Sequence, residues 1–169
     1  APVAAAVVQG TAMTTAADVR GALIAMVKTI NGSGGYTLDL SGSTYDGMEP
    51  LGARPAGQQA YVWRGRAGYA RADQATLGGW LVVRQYAVTV YADSSARTNA
   101  SREGQLDTIE ADLLKAVDAA LQPAGALGAV NVLDVTDVEI VPRFASQPNA
   151  AAQPCACDVL ITLQYIRGR

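Results

Sequence analysis

Histidine is absent from all 169 residues, which removes the commonest general acid/base and the commonest metal ligand of proteins. A Ser or Cys nucleophile would need another base, and both Lys28 and Lys115 fall on helices where solvent exposure is expected. Cysteine is scarce as well: only Cys155 and Cys157 occur. Their i, i+2 spacing in a segment that reads as a strand sends both side chains to one face, a poor geometry for an unstrained disulfide. Two sulfurs without a histidine do not complete a four-ligand zinc site. Both are expected to be small, buried, apolar residues in a reducing cell.

Long apolar runs are also missing. The chain is 50% hydrophobic, yet no run approaches the ~18 residues of a membrane span, so a soluble chain without a membrane partner is expected. The start, Ala1-Pro2-Val3-Ala4, lacks the basic region and long apolar stretch of a secretory signal. Neither sign of charge dominates: 13 basic residues face 15 acidic ones, for a formal net charge of −2. Any DNA contact would therefore be local. Gly32, Gly34, Gly35, Gly42 and Gly47 follow a helix and precede a strand, whereas a phosphate cradle requires the order strand, glycine, helix. No nucleotide, other cofactor or metal is expected.

What is present reads as one domain, long enough to bury roughly 70% of the surface its unfolded chain exposes. Residues 1–14 form an N-terminal arm, expected to be flexible. Thr15 and Asp18 then give a capping pattern, and Val19, Leu23, Met26, Val27 and Ile30 recur at helical spacing until Asn31-Gly32 stops the helix. Residues 36–40 alternate like a short, half-buried strand. Residues 41–79 turn to Gly, Pro, Ser, Ala and Arg and read as a long inserted loop region, with 60–64 the plausible strand inside it.

Residues 80–92 are the clearest strand. Trp80, Val82, Arg84, Tyr86, Val88 and Val90 share one face, and the other face is also partly apolar, as in a central strand. A second helix is expected over 101–121, with Leu106, Ile109, Leu113, Val117, Ala120 and Leu121 inward and Asp107, Glu110, Asp112 and Asp118 outward. Two strands follow, 129–144 with a bend or bulge near Asp134 and Asp137, and 155–166, joined by a wide loop. The fold class is α+β: a mostly antiparallel sheet with two helices packed on it, in the order α-β-β-β-α-β-β.

Two carboxylate pairs are near in sequence, Asp134 with Asp137 and Asp39 with Asp46, and turn or edge roles are the favoured reading of both. Arg54, Trp63, Arg64, Arg66, Tyr69 and Arg71 form the one local basic and aromatic cluster. Three readings stand for it: a solvated loop, a protein interface, or phosphate contacts with DNA.

The helix 19–28, the segment Ile30-Asn31-Gly32-Ser33-Gly34-Gly35-Tyr36-Thr37-Leu38-Asp39-Leu40, Tyr45-Asp46-Gly47, the strand ending Val88-Thr89-Val90-Tyr91-Ala92, the helix 109–121 and the last strand 159–165 together resemble the tail-terminator (tail-completion, head-tail joining) proteins of tailed bacteriophages. The resemblance runs from Thr15 onward and rests on element order. It implies a non-catalytic virion protein, assembled in the host cytoplasm, that forms a homohexameric ring, caps the tail tube and joins it to the neck. Its implied partners are further copies of itself, the tail tube protein, the neck or stopper protein, and non-specific contact with DNA passing through the pore. A neck or stopper protein of the head-tail connector is the alternative, followed by a small α+β enzyme using carboxylates.

Overall fold

The computed structural model describes residues 14–50, 57–71, 80–92, 99–143 and 155–167. Its elements are α1 (Ala16–Lys28), β1 (Thr44–Asp46), β2 (Gln59–Arg71), β3 (Trp80–Tyr91), α2 (Asn99–Ala120), α3 (Ala126–Ala129), β4 (Val132–Arg143) and β5 (Ala156–Arg167). The fold is α+β, with the short α3 added to the expected order. One five-stranded sheet runs β1-β2-β3-β5-β4. Only the β1–β2 pair is parallel; the other three are antiparallel.

Helix α1 starts on a capping box: Thr15 Oγ1 accepts from the Asp18 amide at 3.1 Å, and the Asp18 carboxylate accepts from the Thr15 amide at 2.7 Å. Its buried stripe, Val19, Leu23, Met26 and Val27, meets Ile109, Leu113, Ala116 and Val117 of α2 in one core over the sheet. The sheet contributes every second residue: Val82, Tyr86, Val88 and Val90 from β3, and Cys157, Val159, Ile161, Leu163 and Tyr165 from β5. Both cysteines are buried free thiols, and burial raises each thiol's pKa, Cys157 to about 12. The intervening β5 residues are half-exposed, as expected where helices cover only one face of a sheet. Bulges in β4 fall between Val132 and Asp134 and between Val135 and Asp137, at the predicted interruption.

Three expectations need correction. Residues 36–40 form no strand beyond a single bridge from Asp39 to Asn31. Leu38 and Leu40 do point inward, but the backbone here bonds elsewhere: Leu40 N–H donates to Ile30 O at 2.7 Å, and Gly32 N–H to Leu38 O at 2.7 Å. The turn that allows this uses Gly32, Gly34 and Gly35 at positive φ. Asp112, placed on the outer face of α2, is 4% exposed. It accepts the Thr37 and Leu38 amides at 2.9 and 2.8 Å, so it satisfies the strandless segment from the side.

The third correction concerns residues 41–79, which are not a loop throughout. They contain β1 and β2, and β2 is almost three times the expected length. Its small residues read as loop because they carry little apolar signal. The partner strand β3 supplies the ladder instead, from Gln59 opposite Tyr91 to Arg71 opposite Trp80. Gly65 sits in a bulge where a Cβ would come within 3.1 Å of the Gln85 carbonyl oxygen, which favours glycine there. The rest of that expected loop, 51–56 and 72–79, lies outside the described residues, as do residues 1–13 of the expected arm. Thr14, at the arm's end, is buried and donates to Val130 O at 2.8 Å.

Candidate functional site

The sheet face without helices carries a continuous row of polar and aromatic side chains. Tyr45 on β1 pairs with Tyr61 on β2, Tyr61 with Thr89 on β3, Thr89 with Asp158 on β5, and Asp158 with Val141 on β4. A parallel row next to it runs Gln59, Tyr91, Ala156, Arg143. Side chains one register apart on one face lie close enough to interact, and here they do. The Tyr45 and Tyr61 rings stack at 5.2 Å, and Tyr61 meets Tyr91 edge-on at 6.3 Å. Trp63 Nε1–H donates to Thr89 Oγ1 at 3.1 Å, and Thr89 donates to Asp158 Oδ1 at 2.5 Å.

Arg143 organises the acidic side of this face. Its Nε donates to Asp158 Oδ2 at 2.8 Å, its Nη1 reaches the Tyr91 hydroxyl at 3.3 Å and Glu49 Oε2 at 3.5 Å, and its Nη2 reaches Thr89 Oγ1 at 3.3 Å. The Tyr91 hydroxyl in turn donates to the Glu49 carboxylate. Burial, reinforced by Glu49, pushes the Tyr91 phenol above its usual range, and burial with Glu49 and Tyr45 does the same to Tyr61. Both hydroxyls therefore stay protonated at neutral pH. Burial works against the Arg143 charge, but Asp158, Tyr91 and Glu49 outweigh it and hold the guanidinium above its ordinary value. Such a set of fixed donors and a paired cation can stiffen and present a surface.

Further along the same face lies a shallow depression of about 600 Å³, lined by Arg66, Gly68, Val83, Gln85, Leu160 and Thr162 among others. Arg64 lines a different depression with Arg20, Asp46 and Met48. The β2 bulge between them is what separates the two guanidiniums, since the register shifts between Arg64 and Ala67. The predicted basic and aromatic cluster is thus spread out rather than gathered. Trp63 is half-buried and tied to Thr89, Arg64 and Arg66 are exposed, and Tyr69 is exposed with its hydroxyl accepting from the buried Arg84 at 2.6 Å. Arg54 and the side chain of Arg71 lie outside the described residues.

Asp39 and Asp46 each engage a different partner, whereas the β4 bulge puts Asp134 and Asp137 in neighbouring rows of one face. Asp39 accepts from the Ser41 amide and hydroxyl at 3.2 and 2.6 Å, the local turn role expected of it. Asp46 pairs with Arg20 at 2.7 Å. Asp134 and Asp137 are exposed on β4, an edge strand. Sequence reasoning missed Glu49, Tyr91, Arg143 and Asp158, because their grouping depends on which strands pair. The one local hint was polar residues on the second face of otherwise apolar strands. Among the described residues no group of three or more metal-ligating side chains occurs.

No family model matches the chain, and no curated protein matches it. Among solved structures it is similar to a chain described as the virion of a native gene transfer agent particle, with 19% identity over 88% of this chain and 97% of that one and a TM-score of 0.44.

Proposed function

We propose that the chain is a non-catalytic structural subunit of a tailed-phage particle, of the tail-terminator kind, which closes the tail tube by forming a ring and presents the surface that the neck engages. The observation that carries this reading is the sheet. Among the described residues, helices cover one face only, and strands with unpaired backbone groups stand at both sides. An element order of this kind is the one on which the tail-terminator resemblance rests. A ring subunit requires a stiff core with accessible edges, because each copy must meet two neighbours at once.

The open-face network favours presentation over turnover. Its arginine is held by two carboxylates, and its phenols are held protonated. The test is to disrupt the gene in the phage that encodes it and image the particles. Tails of irregular length beside filled heads without tails are expected, with joining restored by adding the purified protein. Joined particles with tails of normal length would overturn the reading.

A further inference from the structure

The two sides of the sheet carry opposite charge at the same height. On one side, β1 covers β2 only at residues 60–62. From Arg64 onward the outer edge of β2 has no strand beside it among the described residues; Arg66 is exposed there on the open face, while Arg64, opposite the buried Tyr86, lies on the helix side. On the other side, β4 is paired with β5 alone, and Asp134, Asp137 and Glu139 are exposed along it. None of the four open-face charges, Arg66, Asp134, Asp137 and Glu139, forms an ion pair within the described chain.

The register places them in matching rows. Gln85, opposite the Gly65-Arg66 bulge, pairs with Thr162, and Thr162 with Asp137. One row further along, Gly68 pairs with Val83, Val83 with Gln164, and Gln164 with Asp134. In the other direction, Trp63 pairs with Ala87, Ala87 with Leu160, and Leu160 with Glu139. A second copy set beside the first at the same height therefore brings its Asp137 to the level of Arg66, with Asp134 and Glu139 flanking. The strand directions suit this contact: the succession of antiparallel pairs makes β4 run opposite to β2.

The non-pairing parts match as well. Pro142, which has no amide hydrogen to donate, lies in the row of Cys157, Val90 and Ala60. That is the height at which β1 already occupies β2. Acids and bulges on an edge strand ordinarily protect it from unwanted pairing. Here the protection is selective: β4 against β4 sets acid on acid, and β2 against β2 sets arginine on arginine. Only β2 against β4 is attractive.

We propose that copies of this chain assemble head to tail, the outer edge of β2 in one copy pairing antiparallel with β4 of the next, with Arg66 opposite Asp137 and flanked by Asp134 and Glu139. The contact is heterologous, so it propagates in one direction. A head-to-tail series of this kind is a finite ring where the rotation between copies closes and an open filament where it does not, and the ring reading requires the first. The inference deepens the ring reading above by naming its interface, and it rests on that reading.

Two variants test it, one carrying Arg66→Glu, the other Asp134→Lys, Asp137→Lys and Glu139→Lys. Native mass spectrometry and light scattering over a concentration series give the oligomer, and circular dichroism checks that each variant is folded. Each variant alone is expected to need about a tenfold or higher concentration than the parent to assemble. Mixed one to one, the two should restore rings of equal composition, since one then has two acidic edges and the other two basic ones. Parental assembly by either variant alone, a mixture that does not recover, or a parent that is monomeric throughout would each overturn the proposal. If the parent forms rings and the variants do too, this interface fails while the ring reading stands. If rescue occurs but disrupted phage makes normal particles, the interface stands and the place in the tail fails.

Discussion

Asp112 is the residue at which the packing is most open to a quantitative challenge. It lies on the inner stripe of α2, next to Leu113, and its carboxylate is the partner of two backbone amides 74 and 75 positions away. Replacing it with alanine deletes both bonds. Charge-assisted hydrogen bonds contribute about 1.5–3 kcal/mol each when their partners are buried. The two are not equal here, because Thr37 is exposed while Leu38 is 4% exposed. Water can take over the Thr37 amide; the Leu38 amide would be left without a partner, at a cost of about 1–3 kcal/mol. A total loss of about 2–4 kcal/mol is expected for Asp112→Ala, with about half of that for Asp112→Asn, whose amide oxygen still accepts. With a urea dependence of about 2 kcal/mol per molar, the alanine variant should unfold at a midpoint lower by about 1–2 M. An alanine variant within about 0.5 kcal/mol of the parent would refute the claim that this carboxylate fixes the 36–40 segment.

Cys157, held as a thiol by burial with a pKa near 12, should resist a thiol reagent at pH 8 in the native protein and react on unfolding. Its folded value is raised, so the stability it contributes is complete below the ordinary thiol value of 9.0 and is lost as pH rises toward 12, which a pH series of urea midpoints would register. Arg143→Ala leaves Asp158 and Glu49 without their shared cation; at 38% side-chain exposure, solvent screening limits the cost to about 1–2 kcal/mol. That cost should shrink when the same unfolding is followed at high salt.

The elements were legible where a single segment carries its own period. The capping box of α1, its stripe from Val19 to Val27, the two faces of β3 and the interruption of β4 all appear in the structure at the residues where the sequence shows them. The failures share one cause, partners distant in the chain. Tyr36-Thr37-Leu38-Asp39-Leu40 alternates correctly, yet its backbone is satisfied by α1's end and by Asp112, and no alternation reports that. The outer half of β2 has no apolar pattern because its order comes from β3 beside it. The same holds for the open-face network: Glu49 and Arg143 are 94 positions apart, and only the strand order β2-β3-β5-β4 brings their neighbourhoods together.

That network has a consequence for assembly. A head-to-tail ring closes only when the angle between a subunit's two contact edges is nearly the same in every copy, and in the proposed contact those edges are the two sides of one sheet. A sheet covered on one face can flex, since the uncovered face lacks the packing that resists bending. The row from Tyr45 through Tyr61, Thr89 and Asp158 to Arg143 crosses all five strands on that uncovered face. Each hydrogen bond in it contributes only about 1 kcal/mol, too little to decide whether the chain folds. Joined across the sheet, the same bonds resist a change of twist, because bending would have to lengthen several of them together. The helices set the twist from one side and the polar row holds it from the other, and the angle between the basic and acidic edges becomes a property of the folded chain before any neighbour arrives.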